Sequence, residues 1–140
     1  KRFWNATGWK DSELTGKWVL DVGCGSGRFT EIALSAGAKV VALDFSSAVD
    51  ACKSNFINNN NLFIVQGDLY ELPFNLETFS FIYSLGVLQH TPNPFESILK
   101  LYDFVNSNGK VYFDIYPMPK IGKIHPKYLI WRPLIQNIFS

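Results

Sequence analysis

The stretch Val19-Leu20-Asp21-Val22-Gly23-Cys24-Gly25-Ser26-Gly27-Arg28-Phe29 constrains this chain more than any other. Trp18, Val19, Leu20 and Val22 make an apolar run of the length of one buried parallel strand. Glycines follow at alternate positions 23, 25 and 27, and then Phe29, Ile32, Ala33 and Ala36 recur at helical spacing. Strand, glycine turn and helix open a nucleotide-binding βαβ unit. Glycine admits the positive φ that such a turn needs and lets the backbone approach a ligand. The helix N-terminus behind the turn offers unpaired N–H groups. A tight turn that packs closely and binds nothing is the plain alternative.

The rest of the chain repeats the alternation. Gly37 stops the first helix as a C′ residue, and Lys39-Val40-Val41-Ala42-Leu43 reads as a second strand ending at Asp44. Ser47-Ala48-Val49-Asp50 has the form of a capping box, with Val49, Cys52 and Phe56 as the apolar face of the helix it opens. The asparagine run 58–61 breaks that helix. Leu62 to Val65 is a third strand ending in Gln66-Gly67-Asp68, and Phe79 to Tyr83 a fourth, followed by a loop from Ser84 to Pro92. Asn93-Pro94-Phe95-Glu96 supplies a cap, a first-position proline and a capping-box glutamate. Phe95, Ile98, Leu99, Tyr102 and Val105 form the expected buried stripe of that helix. Asn108-Gly109 turns the chain into a fifth strand, Val111 to Ile115. The pattern predicts a doubly wound parallel sheet of Rossmann-like α/β class, covered on both faces.

Three segments follow: an N-terminal arm over 1–17, a ligand-binding domain over 18–116, and a lid or linking segment over 117–140. The arm, with Phe3, Trp4 and Trp9, packs on the domain or folds over the ligand with Trp4 or Thr7. The tail holds Pro117, Pro119, Pro126 and Pro133, with a short helix at Tyr128 to Trp131. It ends inside an apolar segment, and the chain starts without methionine, so it reads as a fragment. With 140 residues, 47% of them hydrophobic, it can bury a core. A net charge of +1 without a dense basic cluster argues against a nucleic-acid partner. No apolar run reaches membrane-spanning length, so no stable membrane insertion is expected. Cys24 and Cys52 fit a reducing cytoplasm better than a disulfide. No metal site is expected.

Three carboxylates fall at strand ends, where doubly wound sheets bind ligands. Asp21 faces the glycine loop. It would repel a dinucleotide pyrophosphate and attract an ammonium group. S-adenosylmethionine carries an ammonium and a carboxylate on its methionine end, and Asp21-x-Gly23-x-Gly25-x-Gly27 suits that zwitterion. Asp44, about twenty residues beyond Gly23, stands where a carboxylate accepts from both ribose hydroxyls; helix-terminal charge is its bland alternative. Phe45 lies against the adenine face or in the core. Asp68 takes the adenine amino group, with the Leu69 N–H on a ring nitrogen, or it merely caps a turn.

These motifs resemble those of class I S-adenosylmethionine-dependent methyltransferases. Gly67-Asp68-Leu69 with Leu72-Pro73-Phe74 is similar to the family's Gly-Asp…Leu-Pro-Phe signature. Ser84-Leu85-Gly86-Val87-Leu88-Gln89-His90-Thr91-Pro92-Asn93-Pro94 resembles its loop after strand four, with Gln89, His90 and Asn93 where the usual form has two histidines and an aspartate. The likeness runs from Trp18 to Ile115 and implies the seven-stranded methyltransferase fold, truncated here after the fifth strand. It implies a cofactor set of Asp21, Gly23, Cys24, Gly25, Gly27, Asp44, Phe45, Asp68, Leu69 and Ser84, with His90 as a catalytic base. It is similar to the small-molecule group that includes ubiquinone and menaquinone biosynthesis methyltransferases, which implies a small-molecule methyl acceptor. A nicotinamide-dependent oxidoreductase is disfavoured because Arg28 occupies the last glycine position of Gly-x-Gly-x-x-Gly and Asp21 opposes a phosphate. A non-catalytic nucleotide-binding domain is the other rival.

Overall fold

The computed structural model describes residues 1–115, so the lid, linking segment and helix expected over 117–140 lie outside the described residues. Five parallel strands, β1 (Trp18–Val22), β2 (Lys39–Asp44), β3 (Leu62–Gln66), β4 (Phe79–Ser84) and β5 (Val105–Phe113), form one sheet in the order β3-β2-β1-β4-β5. The chain steps outward from β1 to β3, then crosses back to place β4 on the other side of β1. That reversal opens a crevice at the carboxyl ends of β1 and β4.

Side-chain alternation splits the core. Leu20, Val22, Val41, Leu43, Phe79 and Ile82 face α5 (Pro94–Phe104), which contributes Leu101 and Phe104. Val19, Val40, Phe81 and Tyr83 point the other way. They meet α1 (Arg2–Thr7), α2 (Asp11–Leu14) and α3 (Thr30–Ser35) through Phe3, Leu14 and Ala33. Helix α4 (Ala48–Asn55) covers Ala42 with Val49 and Cys52. Central strands buried on both faces explain why β1 and β2 read as mainly apolar runs rather than alternating ones.

The N-terminal arm is part of that core. Phe3 is fully buried, edge-on to Tyr83 at 5.0 Å, and Trp9 packs edge-on to Phe81 at 4.9 Å. Thr7 closes its own helix, its hydroxyl donating to the Phe3 carbonyl at 3.0 Å and accepting the Trp9 N–H at 3.2 Å. Lys110 Nζ donates to Glu13 Oε1 at 2.6 Å and ties α2 to β5.

Local expectations need four corrections. Ser47 makes no capping bond; Ser46 Oγ accepts the Ala48 N–H at 3.3 Å instead, one residue earlier. Asn93 Oδ1 does accept the Glu96 N–H at 3.3 Å, but Glu96 takes the Asn93 side-chain amide at 3.4 Å rather than its backbone N–H. The fifth strand pairs with β4 through Lys110 to Phe113, after a register slip between the Val105 and Lys110 pairs, and Asp114 and Ile115 lie beyond it. On α5, Phe95, Leu99 and Tyr102 are exposed, while Ser97, Leu101 and Phe104 are buried. The helix carries two apolar stripes, and Ser97 sits on the buried one because its hydroxyl finds partners there.

Among the described residues no helix is long and apolar enough to cross a membrane. The helix-face assignment is tested by truncation. Leu101→Ala should cost about 2–5 kcal/mol in chemical denaturation, whereas Leu99→Ala, 51% exposed, should cost less than about 1 kcal/mol.

Candidate functional site

The glycine loop is fastened to the end of β2 from three directions. The Gly23 and Cys24 N–H groups both donate to the Leu43 carbonyl, at 2.7 and 3.0 Å. The Gly25 N–H donates to Asp44 Oδ2 at 2.8 Å. The other oxygen, Asp44 Oδ1, accepts the Ser46 N–H at 2.9 Å and the Ser46 hydroxyl at 2.7 Å. Gly23 and Gly27 have φ of 77° and 93°, and a Cβ on either would collide with Val87 or with the Phe56 ring and Cys52. Around Gly25 the space is open, with nothing within 4 Å of where a Cβ would lie.

Beside this loop lies a cavity of about 430 Å³ at the carboxyl ends of the strands. It brings together Gly23, Asp44, Phe45, Asp68, Leu69 and His90 of the expected residues. Phe45 is 77% exposed at its rim, an aromatic face held out of the core. Asp68 Oδ1 accepts the Tyr70 N–H at 3.0 Å, so it caps the short turn Leu69–Glu71 and borders the cavity at once. His90 ends the turn Leu88–His90, its side chain exposed, its N–H donating to the Val87 carbonyl at 2.8 Å.

Asp21, Cys24, Gly25, Gly27 and Ser84 do not line that cavity. For two of them the side chain is spent on structure. Ser84 Oγ, fully buried, donates to the Val22 carbonyl at 3.1 Å and pins β4 to β1. Cys24 packs with Ala42, Val49 and Cys52, and burial pushes its thiol far above the usual range. Small side chains in a glycine loop and at a strand end read alike from sequence whether they touch a ligand or a carbonyl.

Asp21 is 2% exposed. Thr30 Oγ1 donates to its Oδ2 at 2.6 Å, the length of a bond to a charged acceptor. Burial raises its carboxyl to about 7, against the hydroxyls of Thr30 and Tyr83, which lower it, and with the Asp44 charge adding to the rise.

Sequence reasoning missed Tyr70, Val87 and Thr91 on the cavity wall. Tyr70 Oη lies 2.7 Å from Ser97 Oγ and donates to the Asn93 carbonyl at 3.0 Å, and Ser97 Oγ donates to Thr91 Oγ1 at 2.8 Å. This chain of hydroxyls joins the loop after β3 to the loop after β4, across the cavity mouth. No periodicity marks it, since its members come from three separate segments.

The residues present fit an adenosyl ligand with an amino-acid end. Two carboxylates and an exposed aromatic border one cavity, and a buried carboxylate, shifted by no cation among the described residues, stands behind the glycine loop. Comparison with known proteins agrees. A family profile described as "Methyltransferase domain" matches residues 20–113. The chain is 33% identical over 118 residues to the tRNA U34 carboxymethyltransferase of Pseudomonas savastanoi pv. phaseolicola, covering 81% of this chain and 36% of that protein. It is 31% identical over 135 residues to the protein of the same name from Shewanella sp. strain ANA-3, covering 85% and 41%. The chain therefore spans well under half the length of these curated relatives. Its fold is that of phosphoethanolamine N-methyltransferase 1 of Haemonchus contortus, solved with phosphoethanolamine and S-adenosylhomocysteine, with a TM-score of 0.68 at 21% identity over 79% of this chain and 25% of that one.

The names of the curated relatives overturn one expectation. Low net charge argues against nucleic acid, and the resemblance to quinone-biosynthesis methyltransferases implies a small-molecule acceptor, yet these relatives are named for a tRNA nucleotide. Net charge reports a long-range field averaged over the residues in hand; it does not report the acceptor of a site whose wider walls this stretch does not span.

The buried carboxyl gives a stability test. Asp21 keeps its proton in the folded state up to about pH 7, whereas the unfolded chain releases it near its ordinary value of 3.8. The folded state thus binds more protons between these limits, and stability falls as pH rises through them. Asp21→Asn should remove that slope: its melting temperature should exceed the parent's at pH 8 and match it near pH 4. Parallel melting curves for both proteins across that range would show that Asp21 is not the titrating group.

Proposed function

Because this chain belongs to the S-adenosylmethionine-dependent methyltransferase family, we propose that the protein transfers the sulfonium-bound carbon group of that cofactor to a nucleotide of tRNA. The observation that carries the reading is one cavity bordered together by Gly23 of the glycine loop, Asp44 and Asp68, from three successive strand ends. The tRNA acceptor rests on the names of the curated relatives.

In this reading Asp44 accepts from the ribose hydroxyls. Its oxygens already hold the Gly25 N–H and Ser46, so ribose recognition and loop geometry share one carboxylate. Asp68 and the Leu69 backbone hold the adenine edge, and Phe45 covers its face. Asp21, behind the loop, compensates the ammonium of the methionine end. When bound, the cofactor supplies an electrophilic carbon on a positively charged sulfur. The protein aligns donor and acceptor and excludes water. His90, on the cavity wall, takes the acceptor's proton as the new bond forms.

Three results are expected. Asp44→Ala should weaken S-adenosylhomocysteine binding by about 1.5–3 kcal/mol, the scale of hydrogen bonds to a charged group; unchanged calorimetric affinity would remove the ribose role. Radiolabelled cofactor incubated with the full protein and a mixture of tRNA and small-molecule extract should label the tRNA fraction, and mass analysis of the nucleosides should tell a methyl from a carboxymethyl group. Label confined to small molecules would overturn the acceptor. In the same assay His90→Ala should lower turnover about a hundredfold with cofactor affinity nearly unchanged, and wild-type turnover in that variant would exclude the base role.

A further inference from the structure

One buried polar group has no place in the site described so far. Tyr83 is completely buried in the middle of the fold; its hydroxyl makes no well-formed hydrogen bond, and the group it acts on is the Asp21 carboxyl. Buried phenols almost always find a hydrogen-bond partner. Tyr83 on β4 is the in-register partner of Asp21 on β1, so the two side chains rise from neighbouring strands on the same face of the sheet. The ring has little freedom to leave: Phe3 stands edge-on to it at 5.0 Å and Trp9 at 6.4 Å, both from the N-terminal arm. Burial and the neighbouring Asp21 charge push the phenol well above its usual range, so it stays a proton donor.

We propose that Tyr83 is a positioning residue of the cofactor site, whose buried hydroxyl is the second donor that holds Asp21 as a carboxylate for the ammonium group of the ligand. The proposal rests on the cofactor reading above and adds a residue and a coupling to it. Thr30, from α3, supplies the first donor to Asp21. The other titratable groups felt by Asp21, Cys24 and Cys52 are one another and Asp44 from β2, with both thiols pushed up by burial and so neutral. None of these is a cation. The carboxylate is therefore held by dipoles alone until a ligand brings a positive charge, and two hydroxyls aimed at one carboxyl favour its ionised form. Because the arm packs on the Tyr83 ring, residues far from the ligand set where that hydroxyl stands.

The test compares two ligands that differ only at the far end from the adenine. S-adenosylhomocysteine carries the amino-acid group and 5′-methylthioadenosine lacks it. Calorimetric titration of the full protein from about pH 6 to about pH 9 should show S-adenosylhomocysteine binding strengthen as Asp21 ionises, with 5′-methylthioadenosine nearly indifferent to pH. In Tyr83→Phe the midpoint of that rise should move up by about one pH unit. At neutral pH S-adenosylhomocysteine should then bind about three- to tenfold more weakly while 5′-methylthioadenosine is unchanged. The phenylalanine keeps the ring and its packing, so the melting temperature should be equal or higher. Asp21→Asn should abolish the pH dependence. An unmoved midpoint in Tyr83→Phe, or equal weakening of both ligands with a lowered melting temperature, overturns the role of Tyr83 and leaves the cofactor reading standing. Failure of the parent protein to bind either ligand overturns that reading and the proposal with it.

Discussion

The hydrogen bond from the Gly25 N–H to Asp44 Oδ2 is the contact on which the site depends. A glycine loop with three positive-φ glycines at alternate positions has large backbone freedom in the unfolded chain. Something must hold it in one shape if a ligand is not to meet that entropy loss alone. Here the Leu43 carbonyl and the Asp44 carboxylate do so from the end of the neighbouring strand. The carboxylate proposed to receive a ribose is thus the one that pre-orders the loop beside it. Binding affinity gained by preorganisation of this kind is affinity that no contact with the ligand itself supplies.

The sheet was legible in the sequence because a parallel strand buried on both faces has only one way to read. Val19, Leu20 and Val22 are apolar around Asp21, Val40 to Leu43 are apolar without interruption up to Asp44, and the carboxylates stand at or beside the strand ends, so the edge of the sheet carrying Asp21, Asp44 and Asp68 could be located without coordinates. Helix α5 was less legible. Phe95, Leu99 and Tyr102 make as good a stripe by periodicity as Ile98, Leu101 and Phe104, and only the sheet's position decides which is buried. The sequence also hides Ser97 as a core residue, since its burial depends on Tyr70 and Thr91 arriving from elsewhere.

The candidate site divides along the same line. Carboxylates at strand ends and a glycine loop follow from spacing, and the fold brings Asp44, Asp68 and Gly23 to one cavity. Ser84 and Cys24 lie off that cavity, their side chains engaged with the Val22 carbonyl and with the α4 cluster, and a small polar side chain beside a ligand and one pinning a strand look identical along the chain. Tyr70, Thr91 and the Tyr83 hydroxyl were missed because their meaning is relational: each matters through a partner more than five residues away. The acceptor was misjudged for a different reason. Charge composition describes how a surface attracts a polyanion, whereas group transfer is decided by which atom reaches the sulfonium, and that is a matter of shape and alignment.

A buried carboxylate such as Asp21, shifted by no cation among the described residues, is costly to the folded protein alone, and in the proposed function that cost falls where the ligand's own charge would sit. Desolvation that raises Asp21 to about 7 in the folded chain is the same desolvation that strengthens its attraction for an ammonium group, because both scale inversely with the local dielectric. A more exposed aspartate would destabilise the fold less and hold the ligand less. The hydroxyls of Thr30 and Tyr83 moderate this opposition without removing it, since a dipole favours the ionised form yet leaves the net charge for the ligand to meet. The packing of Phe3 and Trp9 on Tyr83 then becomes part of the site's electrostatics. By excluding water from that face of the sheet, the arm sets the dielectric in which Asp21 works. On this argument the first residues of the chain belong to ligand recognition through what they keep out, although none of them borders the cavity.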